Sequence, residues 1–120
     1  ILILGVPTWF IGHLQSAWEE FFPEFQKINF EGIRVGFSGL GDQNGYPDNF
    51  VDGIGILAEV VKKNGGEIFG YWKNEGYDFD LSRGLVTKDL FYGLVIDEDN
   101  QHELTESRVI NWVNQISNEF

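Results

Sequence analysis

Cysteine is absent from the 120 residues. That excludes disulfides, thiolate catalysis and Cys-ligated metals, and it fits an intracellular protein. Basic side chains are scarce: 8 Lys and Arg stand against 19 Asp and Glu, for a formal net charge of -11. Nucleic acid and anionic membrane surfaces would repel such a chain, so its partners are expected to carry positive patches and to bind in a salt-sensitive way. Acidity also keeps proteins soluble, and charge alone does not separate the two uses. No apolar run reaches the ~20 residues of a membrane span, so no membrane insertion is expected. There are 2 His, His13 and His102. Neither is near a Gly-x-Ser-x-Gly elbow, so hydrolytic chemistry has no support. Asp97, Glu98 and Asp99 offer oxygens to a hard cation but lack the spaced ligands and central glycine of a calcium loop, and they read as a solvated acidic turn.

Apolar material is plentiful. Hydrophobic residues make up 42%, with 11 Phe, 4 Trp and 4 Tyr. One packed domain is expected, and a disordered chain is not. Ile1–Gly5 is an unbroken apolar run and reads as a strand buried on both faces. A chain that starts inside such a strand is expected to have been preceded by more of the fold; alone, the run would form an exposed apolar edge.

Leu14, Trp18, Phe21 and Phe25 follow at helical steps, with Pro23 expected to kink or shorten that helix. Ile33–Phe37 is a second strand. Asp48 is placed to cap a helix carrying Phe50, Ile54, Leu57 and Val61. Asn64-Gly65-Gly66 ends it as a left-handed cap. Glu67–Trp72 is a third strand, a polar turn-rich stretch covers 73–89, and Phe91–Ile96 is apolar again. Asp97–Glu103 reads as an acidic loop. Thr105 is placed to cap a last helix with Val109, Trp112, Val113, Ile116 and Phe120 on one face. Alternating strands and helices predict an α/β fold, a parallel sheet with helices on both faces.

Ligands of such sheets bind at the C-terminal ends of the strands. Two loops fall there. Pro7–Gly12 carries Thr8 and Trp9; Trp9 either packs under the next helix or offers a face to a flat ligand. Gly39–Asn49 carries three glycines, which permit close backbone approach, and Tyr46, which is either a solvent-facing turn residue or a second ligand-facing ring. The glycine order Gly36-x-x-Gly39-x-Gly41 is not the dinucleotide fingerprint. Taken together, Trp9 and Tyr46 follow successive strands and are able to face each other across a gap, as a clamp for a flat ring.

Pro7-Thr8-Trp9, Gly12-x-Leu14-Gln15-Ser16-x-Trp18, Gly41-Asp42-Gln43-x-Gly45-Tyr46-x-Asp48-Asn49-Phe50, Gly76-Tyr77-Asp78-Phe79 and Ile96-Asp97-Glu98-Asp99-Asn100-Gln101 occur in this order. The set resembles the long-chain flavodoxins of photosynthetic microbes along the whole chain. The resemblance implies a flavodoxin-like sheet of order 2-1-3-4-5, of which residues 1–120 supply strands 3, 4 and 5 and the last three helices, a partial domain. The 73–89 stretch matches the insertion that splits the last strand of long-chain members. The implied cofactor is FMN. By resemblance Thr8, Trp9, Phe10, Ile11 and Gly12 form the inner flavin loop, with Trp9 on the inner face of the ring. Tyr46 stacks on the outer face, Gly41 and Asp42 meet the pyrimidine end, and Asn49 and Asp99 lie near the ring or ribityl chain.

Two features depart from the family. Nothing here corresponds to its Ser/Thr-rich phosphate loop, the helix N-terminus that holds the FMN phosphate. Phe10 stands where Asn is common, before the peptide that flips toward the flavin. The implied function is low-potential electron transfer on FMN between basic-surfaced redox proteins, by resemblance ferredoxin–NADP reductase and photosystem I, in a cytoplasm or plastid stroma. Such a carrier is not an enzyme. In this family the flavin carries the electrons and the protein tunes it. A carboxylate ~8 Å from the charge added on reduction costs about 2 kcal/mol at an effective dielectric of ~20, about 0.09 V for one electron. The alternatives are an FMN-dependent quinone reductase of the same fold and a cofactor-free acidic interaction module.

Overall fold

The first apolar run is longer than its sequence pattern indicates. In the computed structural model, which describes residues 1–119, β1 spans Leu2–Trp9 and turns back into the short strand β2, His13–Leu14. Thr8 and Trp9 pair antiparallel with Leu14 and His13. Leu14 is therefore a strand residue, not the first of a helical row. Helix α1 (Ser16–Phe25) begins after Gln15, whose side chain accepts from the Trp18 N–H at 3.2 Å. Pro23 lies inside α1, and the helix stops two residues later at Phe25. Proline lacks the N–H that would bond one turn back, so shortening is the expected cost.

Strand β3 (Arg34–Leu40) lies parallel to β1 over six residue pairs, from Leu2 opposite Val35 to Pro7 opposite Leu40. Helix α2 (Asp52–Lys63) starts later than Asp48 would place it. Its cap is Val51, in a left-handed conformation (φ 47°) with no side-chain hydrogen bond. Burial of Val51 in the core decides that boundary over cap chemistry. The other end behaves as read. Gly65 takes φ +91°. Its N–H bonds to the Lys62 carbonyl and that of Gly66 to the Val61 carbonyl, the paired bonds of a glycine-terminated helix.

The third strand of the sheet is divided. β4 (Glu67–Ile68) pairs with the first residues of β3, and β8 (Leu94–Ile96) with its last three, both parallel. The chain leaves this edge at Gly70 (φ +80°), whose carbonyl accepts from the Trp112 indole at 2.8 Å. Between the two halves, β5 (Trp72–Lys73), β6 (Leu85–Thr87) and β7 (Leu90–Phe91) form a separate antiparallel sheet in the order β5-β7-β6. Glu67–Trp72 and Phe91–Ile96 are thus not single strands. Tyr77 locks the excursion to the main sheet: its hydroxyl donates to the Val95 carbonyl at 2.6 Å and accepts from the Trp72 indole at 2.9 Å. The Arg108 guanidinium lies 4.2 Å over its ring.

Helix α3 (Glu98–Ser117) starts seven residues before Thr105, with Asp97 as its cap and a kink at Gln101. The acidic stretch is thus helix, which suits negative charge at the positive end of the helix dipole. Its inner row is Arg108, Trp112 and Ile116, while Val109 and Val113 are exposed. Phe120 lies outside the described residues.

Side chains alternate across the sheet and define two cores. Val6, Val35, Phe37 and Val95 face α1 and α2, in one cluster with Phe25, Phe30, Ile54, Leu57 and Val61. Phe69, Leu94 and Ile96 face α3, with Trp112 and Ile116. Helices therefore cover both faces, and the fold is the α/β class expected. Ile1, Leu2 and Ile3 are exposed, so the run forms the exposed apolar edge expected of it alone and not a strand buried on both faces. Among the described residues, β1 has a partner on its outer edge only at Thr8 and Trp9.

Candidate functional site

The C-terminal ends of β1 and β3 open a cleft of about 510 Å³, lined by Pro7, Thr8, Trp9, Phe10, Leu40, Gly41, Asp42, Tyr46, Glu98 and Asp99. Parallel pairing places Pro7 opposite Leu40, so the two strands reach the same level and both following loops overhang one gap. Trp9 and Tyr46 stand on its walls, 41% and 38% exposed. An aromatic ring left this exposed in a cleft is free to accept a flat partner on its face. Phe10 is held at φ 50°, an uncommon conformation for a residue with a side chain, and its ring meets Trp9 edge-on at 6.2 Å.

Of the expected site residues, Thr8, Trp9, Phe10, Gly41, Asp42, Tyr46 and Asp99 line the cleft. Ile11 projects to solvent outside those walls. Gly12 and Asn49 sit behind the first loop: a side chain at Gly12 would meet Asp52 at 2.6 Å and Asn49 at 3.1 Å. The Asn49 amide donates to Asp52 at 3.1 Å. Thr8 has a structural bond as well, its hydroxyl accepting from the Gly53 N–H at 2.9 Å, which ties the first loop to the start of α2.

The glycines of the second loop answer to internal packing. A side chain at Gly39 would collide with Ile54, one at Gly41 would meet Val51 at 2.8 Å, and one at Gly45 would collide with the Asp42 carboxylate. Pro7, Leu40 and Glu98 also line the cleft without having been singled out. Pro7 and Leu40 belong to the two loops as read from the sequence, and Glu98 to the acidic stretch that supplies Asp99.

The second loop hangs on a polar cluster. The Asp42 carboxylate accepts from the Gly45 N–H at 2.8 Å, the Asn100 amide at 2.8 Å and the Asn44 N–H at 3.2 Å. These bonds, that of Gly45 foremost, hold its pKa below the usual carboxylate value. Asp97 is fully buried and accepts from Gln43 and Asn100. Oxygens of Asp42, Asp97 and Asp99 lie within 4.8 Å of one another. None of the ion pairs among the described residues lies at the cleft, so its acid is not neutralised by a basic side chain.

A family model described as flavodoxin matches residues 1–112. The flavodoxin of Synechococcus elongatus is 49% identical over 119 residues, 99% of this chain and 69% of that protein. Flavodoxin 1 of Escherichia coli K12 is 46% identical over 120 residues, all of this chain and 68% of that protein. This chain belongs to the flavodoxin family. The same fold occurs in a crystal structure of Fusobacterium nucleatum flavodoxin bound to flavin mononucleotide, with a TM-score of 0.90 and 35% identity over 98% of this chain and 70% of that one. The two chains share the flavodoxin-like α/β fold. No helix among the described residues is long and apolar enough to cross a membrane.

Proposed function

We propose that this flavodoxin is a low-potential electron carrier that binds FMN in the cleft between the β1 and β3 loops. The observation that carries the reading is the pair of half-exposed rings, Trp9 and Tyr46, on the walls of one cleft at the strand ends. The cleft fits a flavin: its walls are flat and aromatic, and one end is polar, bounded by Asp42, Glu98 and Asp99. Bound FMN supplies the one- and two-electron chemistry. Trp9 and Tyr46 hold the ring by its faces and exclude water from them. Phe10 and Gly41 would border it, as they line the same cleft. The unneutralised acid beside the ring opposes gain of negative charge, which lowers the potential. Family membership supports a carrier rather than an enzyme.

Finer assignments belong to the same reading. The 73–89 stretch, within the segment 69–93 between β4 and β8, is the insertion of long-chain members. Partners are redox proteins with basic docking surfaces, among them ferredoxin–NADP reductase and photosystem I, met in a cytoplasm or plastid stroma. Purified full-length protein mixed with FMN is expected to quench flavin fluorescence and to turn yellow. Unquenched emission at micromolar protein overturns the reading.

A further inference from the structure

The loop that bears Tyr46 has little apolar anchorage of its own, yet its shape is fixed from a distance of more than fifty residues. Asn100, on the first turn of α3, donates one amide hydrogen to Asp42 at 2.8 Å and shares the other between both oxygens of Asp97, at 3.0 and 2.9 Å. Its carbonyl oxygen accepts from the Asn44 amide at 2.8 Å. Asp97 is buried and also takes the Gln43 backbone N–H at 3.0 Å and its side-chain amide at 2.8 Å. Gln43, buried too, spends its remaining oxygen on the Asp78 N–H of the β5–β6 connection.

The geometry points to Asn100 and Asp97 as positioning residues for the flavin loop: they clamp Asp42, Gln43 and Asn44 from behind, and so set where Tyr46 stands in the cleft. This rests on the FMN reading above. A buried carboxylate whose contacts are all N–H donors is costly unless those donors stay in place. The clamp therefore favours one loop conformation, and preorganisation of that kind raises affinity without adding a contact to the ligand.

Asn100→Ala in the full-length protein is the direct test. It removes the side-chain clamp but keeps the backbone bond from Asn100 to Asp97 at the start of α3, 3.0 Å. Expected are a roughly tenfold weaker FMN Kd, about 1.4 kcal/mol, higher residual emission from the bound flavin, and a lower apoprotein melting temperature, because the buried Asp97 carboxylate loses a donor. Amide exchange at Gly45 and Tyr46 in the apoprotein should quicken. Asn100→Asp, of similar shape but lacking the donor, should be worse than Ala. Asn44→Ala, on the exposed side of the same clamp, should be non-additive with Asn100→Ala. An unchanged Kd and emission, an Asn100→Asp variant that binds as well as wild type, or a fall in apoprotein stability with no selective exchange at Gly45 and Tyr46 overturns the assignment. Wild-type protein that leaves flavin emission unquenched sinks the FMN reading instead, and the exchange comparison in apoprotein still decides whether Asn100 holds the loop.

Discussion

Trp9 and Tyr77 show how differently two aromatic residues with polar tips are used. Trp9 keeps its ring in the cleft and contributes little to the core. Trp9→Ala should therefore leave unfolding nearly unchanged and weaken FMN binding about 10- to 100-fold, as expected for loss of a stacking platform worth about 1–3 kcal/mol; fluorescence titration of the full-length protein measures it. Tyr77 is the reverse, with its hydroxyl satisfied on both sides. Burial pushes its pKa above the ordinary value of 10.0. The unfolded chain ionises first as pH rises, so the stability held by neutral Tyr77 is complete below about pH 10 and is lost as pH climbs through the folded value. Unfolding free energy should fall in that alkaline range. Tyr77→Phe should cost about 1–3 kcal/mol at neutral pH and flatten the alkaline slope, leaving the part due to Tyr71, whose pKa burial also raises. Urea unfolding at several pH values reads both.

At the scale of elements, α2 is where helix propensity and packing disagree. Gly53 and Gly55 lie near its start, where alanine would favour the helix by up to about 1 kcal/mol each. A side chain at Gly55 would run into the Arg83 carbonyl of the segment that crosses the helix. That segment is fastened to the helix start, since the Arg83 N–H donates to Asp52 at 2.8 Å and Ser82 bonds the Phe50 carbonyl. Gly55→Ala should thus destabilise the protein by about 1–3 kcal/mol, the usual result of overpacking, with the urea midpoint lowered. A rise in the midpoint would mean the connection before β6 is free to move away. The kinked start of α3 follows the same logic: Glu98 and Asp99 line the cleft, buried Asp97 caps the helix, and the inner row Arg108, Trp112 and Ile116 serves the sheet.

Over the whole molecule the net charge of -11 acts as one field. Carriers of this kind meet their partners by electrostatic steering, which salt screens over about 10 Å at 0.1 M. The second-order rate of electron transfer to a basic-surfaced reductase should fall steeply between low and high ionic strength in stopped-flow measurements. A flat profile would mean that the acid serves solubility and redox tuning alone.

The sequence by itself determined the class of fold and named most of the residues that line the candidate cleft. Unbroken apolar runs and helical rows with period near 3.6 are local properties, and they placed the strand start at Glu67, that of β3 to within one residue, and the glycine stop after Asn64; Trp9, read as lying just past its strand, is instead the last residue of β1. Trp9 and Tyr46 were legible because strand ends and side-chain type are both written locally. Tertiary structure decided what depends on partners distant in the chain. It split the last strand between β4 and β8, moved the start of α2 to suit the burial of Val51, and turned an acidic loop into a helix capped by Asp97. The bonds from Asn100 and Asp97 to the loop around Asp42 were invisible in the sequence for the same reason: a hydrogen bond spanning 58 residues leaves no periodic trace in either segment.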